Sequence, residues 1–361
     1  MKFTSHQSVI TPKKPVLQGG YGTRNHPFEG VHDDLLASIF VLEIQQEPYI
    51  WVSCDLSNGT GALIDEVFRS LRHQGCGLEK DHLILAGTHT HSGPNIYVDR
   101  EPDKADPECF CTIAHIIAQG IVDALNKPRT EVCVKYADVL IDGLYSNRNS
   151  KTKLCDKHIH ILGFFHEQEL LGMWVNLAHH CTILGPDNYL LTADLFGAMR
   201  ARLEQHYAAP VLMAQGNAGD MSNHMYRTGS GFEALDKQAD AICQQIVAKL
   251  QWRPIRMEHV NYGRYLHTEG YELHAAVYQK KLEEYKARLE QSKDADEVKW
   301  LHSKIRNCSK KLALGDGPQV IDMPIEVWDM DDVQLLIVPG ELGSVLGLRI
   351  KEHSSKKICL I

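Results

Sequence analysis

Apolar runs of strand length alternate with amphipathic stretches along most of the chain. Leu36–Glu43 (LASIFVLE) and Tyr49–Asp55 (YIWVSCD) read as paired strands, with Gln45-Gln46-Glu47-Pro48 as the turn between them. Further strands are predicted over Leu83–Ala86, Val132–Leu144, His158–Phe165, Leu171–Leu177, Val211–Ala214, Met257–His267, Val320–Asp329, Val333–Val338 and Lys357–Ile361. Apolar positions at helical spacing predict helices over Gly61–His73, Ile113–Leu125, Leu191–Tyr207 and Phe232–Leu250. Strands interspersed with helices predict an α/β fold, a mixed β-sheet core flanked by helices.

Residues 271–314 break this pattern. They are rich in Lys and Glu, with Tyr278, Leu282, Tyr285 and Leu289 on one helical face and Val298, Leu301, Ile305, Cys308 and Leu312 on a second. Gln291–Asp296 separates the two, so the stretch reads as a helical hairpin inserted into a single domain spanning residues 1–361. Its charged outer face reads first as a solvated surface. A lid or a contact between copies is the other reading, which keeps a homo-oligomer among the expectations.

Composition narrows the function classes. A chain of 361 residues with 43% hydrophobic and 23% charged positions has the balance of a soluble globular enzyme. The formal charge of -8 and the lack of a basic stripe argue against a nucleic-acid partner. The N-terminal MKFTSHQSVITPKKPV has no unbroken apolar core of a signal peptide, and no transmembrane segment is expected. The ten cysteines are irregularly spaced with no Cys-x-x-Cys. They read as reduced thiols in a cytoplasmic protein.

The chemistry gathers where strands empty into polar residues. Leu83–Ala86 meets Gly87 and then Thr88-His89-Thr90-His91-Ser92-Gly93-Pro94. On an extended chain His89 and His91 point the same way, and two imidazoles on one face suit a divalent metal. A solvated strand end with two incidental histidines is the plainer reading. Leu171–Leu177 runs into Ala178-His179-His180-Cys181-Thr182, and Val211–Ala214 opens into Gln215-Gly216-Asn217-Ala218-Gly219-Asp220-Met221-Ser222-Asn223-His224. Val333–Val338 ends in Pro339-Gly340-Glu341. His158 and His160 repeat the spacing without a site-like loop, and His115 reads as an ordinary helix histidine. Asp55 closes its strand as a candidate site carboxylate or, preferably, as the N-cap of the helix that follows. Arg148, between Asn147 and Asn149, either donates to a substrate oxygen or is an exposed loop arginine, the plainer choice. Gly19-Gly20-Tyr21-Gly22 lacks the spacing and context of a dinucleotide loop. Together, His89 with His91, His180, and Glu341 match the three His/Glu ligands of a zinc hydrolase. A metallo-β-lactamase-like lactonase or phosphodiesterase is a rival reading, but it needs His-x-His-x-Asp-His, and Ser92-Gly93 follows His91.

In order along the chain, GVHDDL, GTHTHSGP, AHHCT with LTAD, QGNAGDMS and PGE resemble the neutral (neutral/alkaline non-lysosomal) ceramidases, from about Gly19 to Glu341. The resemblance implies an α/β catalytic domain with one Zn2+ per chain held by His89, His180 and Glu341; of the adjacent His179 and His180, the motif frame selects His180. It also implies His91 as proton donor or oxyanion partner with Arg148 assisting. Ser222 would be nucleophile or positioning group, with Asn217 and Asp220 on the substrate. The substrate would be a lipid or small N-acyl amide, ceramide or another. A hydrolase of a different amide or ester, or a non-catalytic metal- or ligand-binding relative, is the alternative. The family pattern adds a tyrosine ligand after a strand like KKICLI, and the sequence ends at Ile361. A short form without secretory signal or C-terminal β-sandwich is therefore expected. Ser222-Asn223-His224 and Asn95-Ile96 depart from the family's Ser-Pro-Asn and Gly-Gly.

Overall fold

The computed structural model describes residues 1–227, 229–293, 295–356 and 358–360. The fold is α/β, with sheets of mixed strand orientation and, among the described residues, seven helices. These are α1 (Gly61–His73), α2 (Pro107–Leu125), α3 (Asp194–Tyr207), α4 (Phe232–Lys249), α5 (Ala275–Gln291), α6 (Ala295–Leu314) and α7 (Ser344–His353). The chain divides into two compact units, Met1–Gly263 with Glu326–Ile361, and Arg264–Ile325.

The larger unit is layered. One five-stranded sheet has the order Leu83–Gly87, Glu47–Cys54, Leu36–Ile44, Lys2–Val9, Thr130–Glu131. A second has the order Val211–Gln215, Glu169–Leu177, His158–His166, Cys133–Leu140, Arg253–Ile255. The strands are apolar on both faces because both faces are covered. Ile39, Val41, Ile50 and Val52 pack outward against Leu63, Val67, Ile113 and Ile117 of α1 and α2. Ile161, Met173, Val175 and Met213 pack outward against Leu195, Met199, Leu235 and Ile242 of α3 and α4. The alternate residues Phe40, Trp51, Phe164, Trp174 and Leu212 fill the space between the sheets. Phe3 stacks on Phe164 with ring centroids 4.7 Å apart. The order is thus helices, sheet, sheet, helices.

The two halves of this unit repeat one topology. Each runs strand, hairpin, helix, strand parallel to the hairpin's second arm, helix, and a short edge strand beside the first. In the first half Glu47–Cys54 and Leu83–Gly87 are parallel; in the second Glu169–Leu177 and Val211–Gln215 are parallel. Each half therefore sends two loops off the carboxyl ends of adjacent parallel strands, where α/β sheets carry their sites.

Several local features differ from the expectations. The cap of α1 is Thr60, whose side chain accepts from Leu63 N–H, not Asp55. Asp55 is fully buried and takes both terminal nitrogens of Arg200, at 3.1 and 2.7 Å, together with Leu36 N–H. The third predicted helix begins at Asp194, after Leu190–Leu191 pairs with Gly30–Val31, and α2 starts six residues earlier than its apolar stripe, with Asp106 as cap and Pro107 in the first turn. By length and composition α2 is apolar enough to cross a membrane, which the sequence reading did not expect. In this fold it buries Phe110, Ile113, Ala114, Ile117 and Ile121 against α1 and the first sheet.

The smaller unit contains α5, α6 and the parts of the two strands that lead into and out of them. Leu282, Leu301 and Cys308 are buried, and Arg288 and Ser292 both bind Glu297 at 2.6 Å. The predicted strand Lys357–Ile361 forms over Ile358–Leu360; Lys357 and Ile361 lie outside the described residues, as do Asp294 and Thr228.

Burial sets an acid sensitivity. His179 is fully buried, and desolvation pulls its pKa down to about 3. In the unfolded chain it titrates near 6.5. Between these values only the unfolded state binds the proton, so the stabilisation is complete above pH 6.5 and is lost as pH falls. The loss is about 1.4 kcal/mol per pH unit for this residue. Urea unfolding of wild type and His179→Asn at pH 7.5, 6 and 5 checks this. The wild type should lose stability more steeply than the variant; parallel curves would show that His179 does not stay neutral.

Candidate metal centre

Four loops of the larger unit meet at one point. Thr88 N–H donates to Cys54 O and His89 N–H to Leu56 O, at 2.8 and 3.0 Å. His91 N–H reaches Cys181 O, and His180 N–H donates to Met221 O at 3.1 Å. The strand before the first motif ends at Gly87, where a Cβ would lie 2.7 Å from Leu56 O. His89 and His91 are not brought together by an extended chain. The backbone of His89 is left-handed, φ 66°, which is rare for a non-glycine residue and marks a conformation imposed by its surroundings.

His89, His91 and His180 each offer a ring nitrogen, and these atoms all lie within 4.8 Å of one another. Two of the rings are fixed from behind. His89 Nδ1 donates to Ser57 O at 2.7 Å, and His180 Nδ1 donates to Ala218 O at 2.7 Å. In the neutral rings this tautomer leaves both Nε2 lone pairs facing inward. The Glu341 carboxylate completes the group, 3.1 Å from His180 Nε2 and 3.6 Å from His89 Nε2. Where the rings are protonated, contact with His180 first and the charge of the other imidazoles hold its pKa down at about 2, so it is an anion. Lone pairs and a carboxylate aimed at one point repel unless a cation lies between them. Two imidazole nitrogens, a carboxylate and a third imidazole beside them are a donor set that fits a divalent metal.

His91 Nε2 lies 3.2 Å from His89 Nε2, and its Nδ1 is buried without a hydrogen-bond partner among the described residues. Burial first, and the neighbouring imidazoles second, push its pKa well below the usual value. Desolvation also lowers that of His89. The glycine-rich loop near the N-terminus shapes this spot. Gly20 has φ 84°, and a Cβ there would lie 2.6 Å from the His91 ring. Arg24, almost fully buried, spends its donors on Gly19 O, His91 O, Gly185 O and Pro186 O, and so ties this loop to the one carrying His91.

The remaining candidate residues sit around this group in different states. Ser222 is buried, and its Oγ accepts from His224 N–H at 3.1 Å, its only hydrogen-bond partner among the described residues. Asn217 is buried, with both ends of its amide unpartnered among the described residues. Arg148 is exposed and donates to Gly219 O at 2.7 Å. Asp220 turns its carboxylate to Ser344 and Asn147. His179 faces away, its Nδ1 on His180 O and its ring 5.2 Å from that of Tyr145. His158 and His160 lie elsewhere, paired with Asp138 and with Tyr136 and Lys351. His115 is exposed on α2 beside Ser70. Tyr97 was missed. It is half-buried, its Oη accepts from Asn58, and burial raises its pKa, with the Glu341 charge adding to the rise. Nothing in the local pattern around Asn95-Ile96-Tyr97 marks it.

No family model matches the chain. Among solved structures it is similar to the neutral ceramidase from Pseudomonas aeruginosa, with a TM-score of 0.72 over 100% of this chain and 66% of that one, at 18% identity. It is also similar to a ceramidase complexed with C2, with a TM-score of 0.71, 100% and 67% coverage, and 16% identity. The fold is ceramidase-like. At this level of identity the shared property is the fold, and the chain spans about two thirds of the length of these ceramidases.

Proposed function

We propose that this chain is a zinc-dependent amidohydrolase that cleaves an N-acyl amide, ceramide or a smaller relative. The observation that carries it is the convergence of two imidazole Nε2 atoms, each fixed by a backbone carbonyl, with an ionised carboxylate between strand-end loops. His89, His180 and Glu341 would hold the ion. When bound, zinc supplies Lewis acidity to an amide carbonyl and to water.

The chain's own groups then have distinct work. The displaced pKa of His91 keeps its imidazole neutral, which suits donation of a hydrogen bond to a developing oxyanion better than delivery of a proton. Ser222 has a hydroxyl hydrogen free for a carbonyl oxygen, since its Oγ is used only as an acceptor. No imidazole is hydrogen-bonded to it among the described residues, which favours positioning over nucleophilic attack. The unpartnered Asn217 amide is available to a buried water or to substrate. Arg148 stands at the exposed side, near enough for its charge to act on His89.

Elemental analysis and a panel of N-acyl amides, ceramide included, test the reading. About one zinc per chain, with hydrolysis lost on chelation and regained on adding zinc, is expected. Zinc bound without turnover on any amide or ester would favour a metal-binding relative that does no chemistry. A metal-replete preparation without zinc would overturn the proposal.

A further inference from the structure

Glu341 belongs to no helix or strand. It lies in the turn between the strand Val333–Ile337 and α7, and its side chain is half exposed. A half-exposed glutamate on a turn has many rotamers and several backbone positions open to it. Something must hold this turn against the two imidazoles. The cap position of α7 is Gly343, which has no side chain to do so.

The restraint comes from a distant loop. Gly219 N–H donates to Leu342 O at 2.8 Å, and a Cβ on Gly219 would lie 2.4 Å from Glu341 O. The next residue, Asp220, accepts on Oδ1 from both Ser344 N–H and Ser344 Oγ, at 2.8 and 2.7 Å. Its Oδ2 accepts from Asn147 Nδ2 at 2.6 Å, and its backbone carbonyl accepts from Arg148 N–H at 2.7 Å. Asp220 thus acts as the N-cap of α7 from 124 positions away in sequence. Further along, Gly347 lets α7 lie directly on Asn217, where a Cβ would fall 2.4 Å from the amide nitrogen. At the far end Lys351 Nζ binds the buried Asp156 at 2.7 Å.

We propose that Asp220 is the positioning residue for Glu341: its carboxylate, engaged by three donors, sets the start of α7 and so the carboxylate three residues before it, rather than contacting substrate. This rests on Glu341 serving as a metal ligand. The Asn147–Asp220 pair is its support, because Asn147 orients the carboxylate that caps α7.

The test is a donor–acceptor swap. Asp220→Asn keeps an oxygen for Ser344 but sets an amide against the Asn147 amide. Asn147→Asp sets two carboxylates together. The double variant exchanges the roles and restores the bond. Two readouts are taken: zinc affinity by competition with a chromophoric chelator, and hydrogen–deuterium exchange of the metal-free protein over residues 341–347. Each single change should weaken zinc binding about 10- to 100-fold, as loss of an outer support does. Each should also speed exchange in that segment while α3 is unchanged, and the double variant should recover both. Singles that match wild type in exchange and affinity would overturn the proposal. Wild type without zinc would overturn the metal reading instead, and exchange would still decide whether Asp220 fixes the turn. Uniformly faster exchange, α3 included, would mean a general structural role and also overturn it.

Discussion

His180→Ala should release the metal and lower kcat/KM on the amide substrate by about a thousand-fold or more, well beyond the 10- to 100-fold typical of outer-support residues. His180 is buried, its Nδ1 is fixed by Ala218 O at 2.7 Å, and its Nε2 is the ring nitrogen that Glu341 approaches most closely, at 3.1 Å. Alanine removes one donor and also the group that holds the Glu341 carboxyl down. His179→Ala is the natural control. That ring is one position away and also buried, but among the described residues it bonds only to a backbone oxygen. It should keep its zinc and lose stability instead. Metal analysis and kinetics on the two variants separate them. Retention of zinc by His180→Ala would remove the residue from the site, and loss of zinc in both variants would point to a collapse of the loop.

Asp55→Ala should cost about 3–5 kcal/mol, the usual effect of leaving a buried charge without its partner. Asp55 and Arg200 are both almost fully buried and joined by two hydrogen bonds, so the alanine variant strands a guanidinium in a low-dielectric interior. The pair ties the loop after Glu47–Cys54 to α3, and that loop also carries Ser57, whose carbonyl fixes His89. A fall of about 10 °C in Tm is expected for a unit of this size. Some loss of metal affinity should accompany it. Replacing both residues, Asp55→Leu with Arg200→Met, removes the charges together and should recover much of the stability. Calorimetry on wild type and the two variants decides. A single Asp55→Ala variant as stable as wild type would mean that water reaches Arg200.

The fold class and most elements were legible because burial on both faces of a sheet writes itself into the chain as continuous apolar runs. Leu36–Ile44, Glu47–Cys54, His158–His166 and Glu169–Leu177 are such runs. Strand ends that empty into Gly, His, Asn and Ser were also visible, and they are the loops that meet in space. What one dimension could not show was partnership. Asp55 looked like a cap because a helix follows it, yet its partner Arg200 is 145 positions away. Asp220 looked like a loop acid open to substrate, yet its carboxylate oxygens are taken by Ser344 of α7 and by Asn147. The repeat of strand, hairpin, helix, strand, helix in the two halves left no matching motifs to read.

By itself, then, the sequence determined which segments are apolar on which faces, hence the α/β class, and which polar residues stand at strand ends. Local spacing and solvation are enough for that, since they depend only on near neighbours in the chain. The tertiary structure decided which loops meet, which nitrogen of each histidine faces inward, and which charges are consumed in holding the frame. Those outcomes depend on carbonyls such as Ser57 O and Ala218 O reaching rings 32 and 38 positions away, and only the packing of the two sheets brings them there.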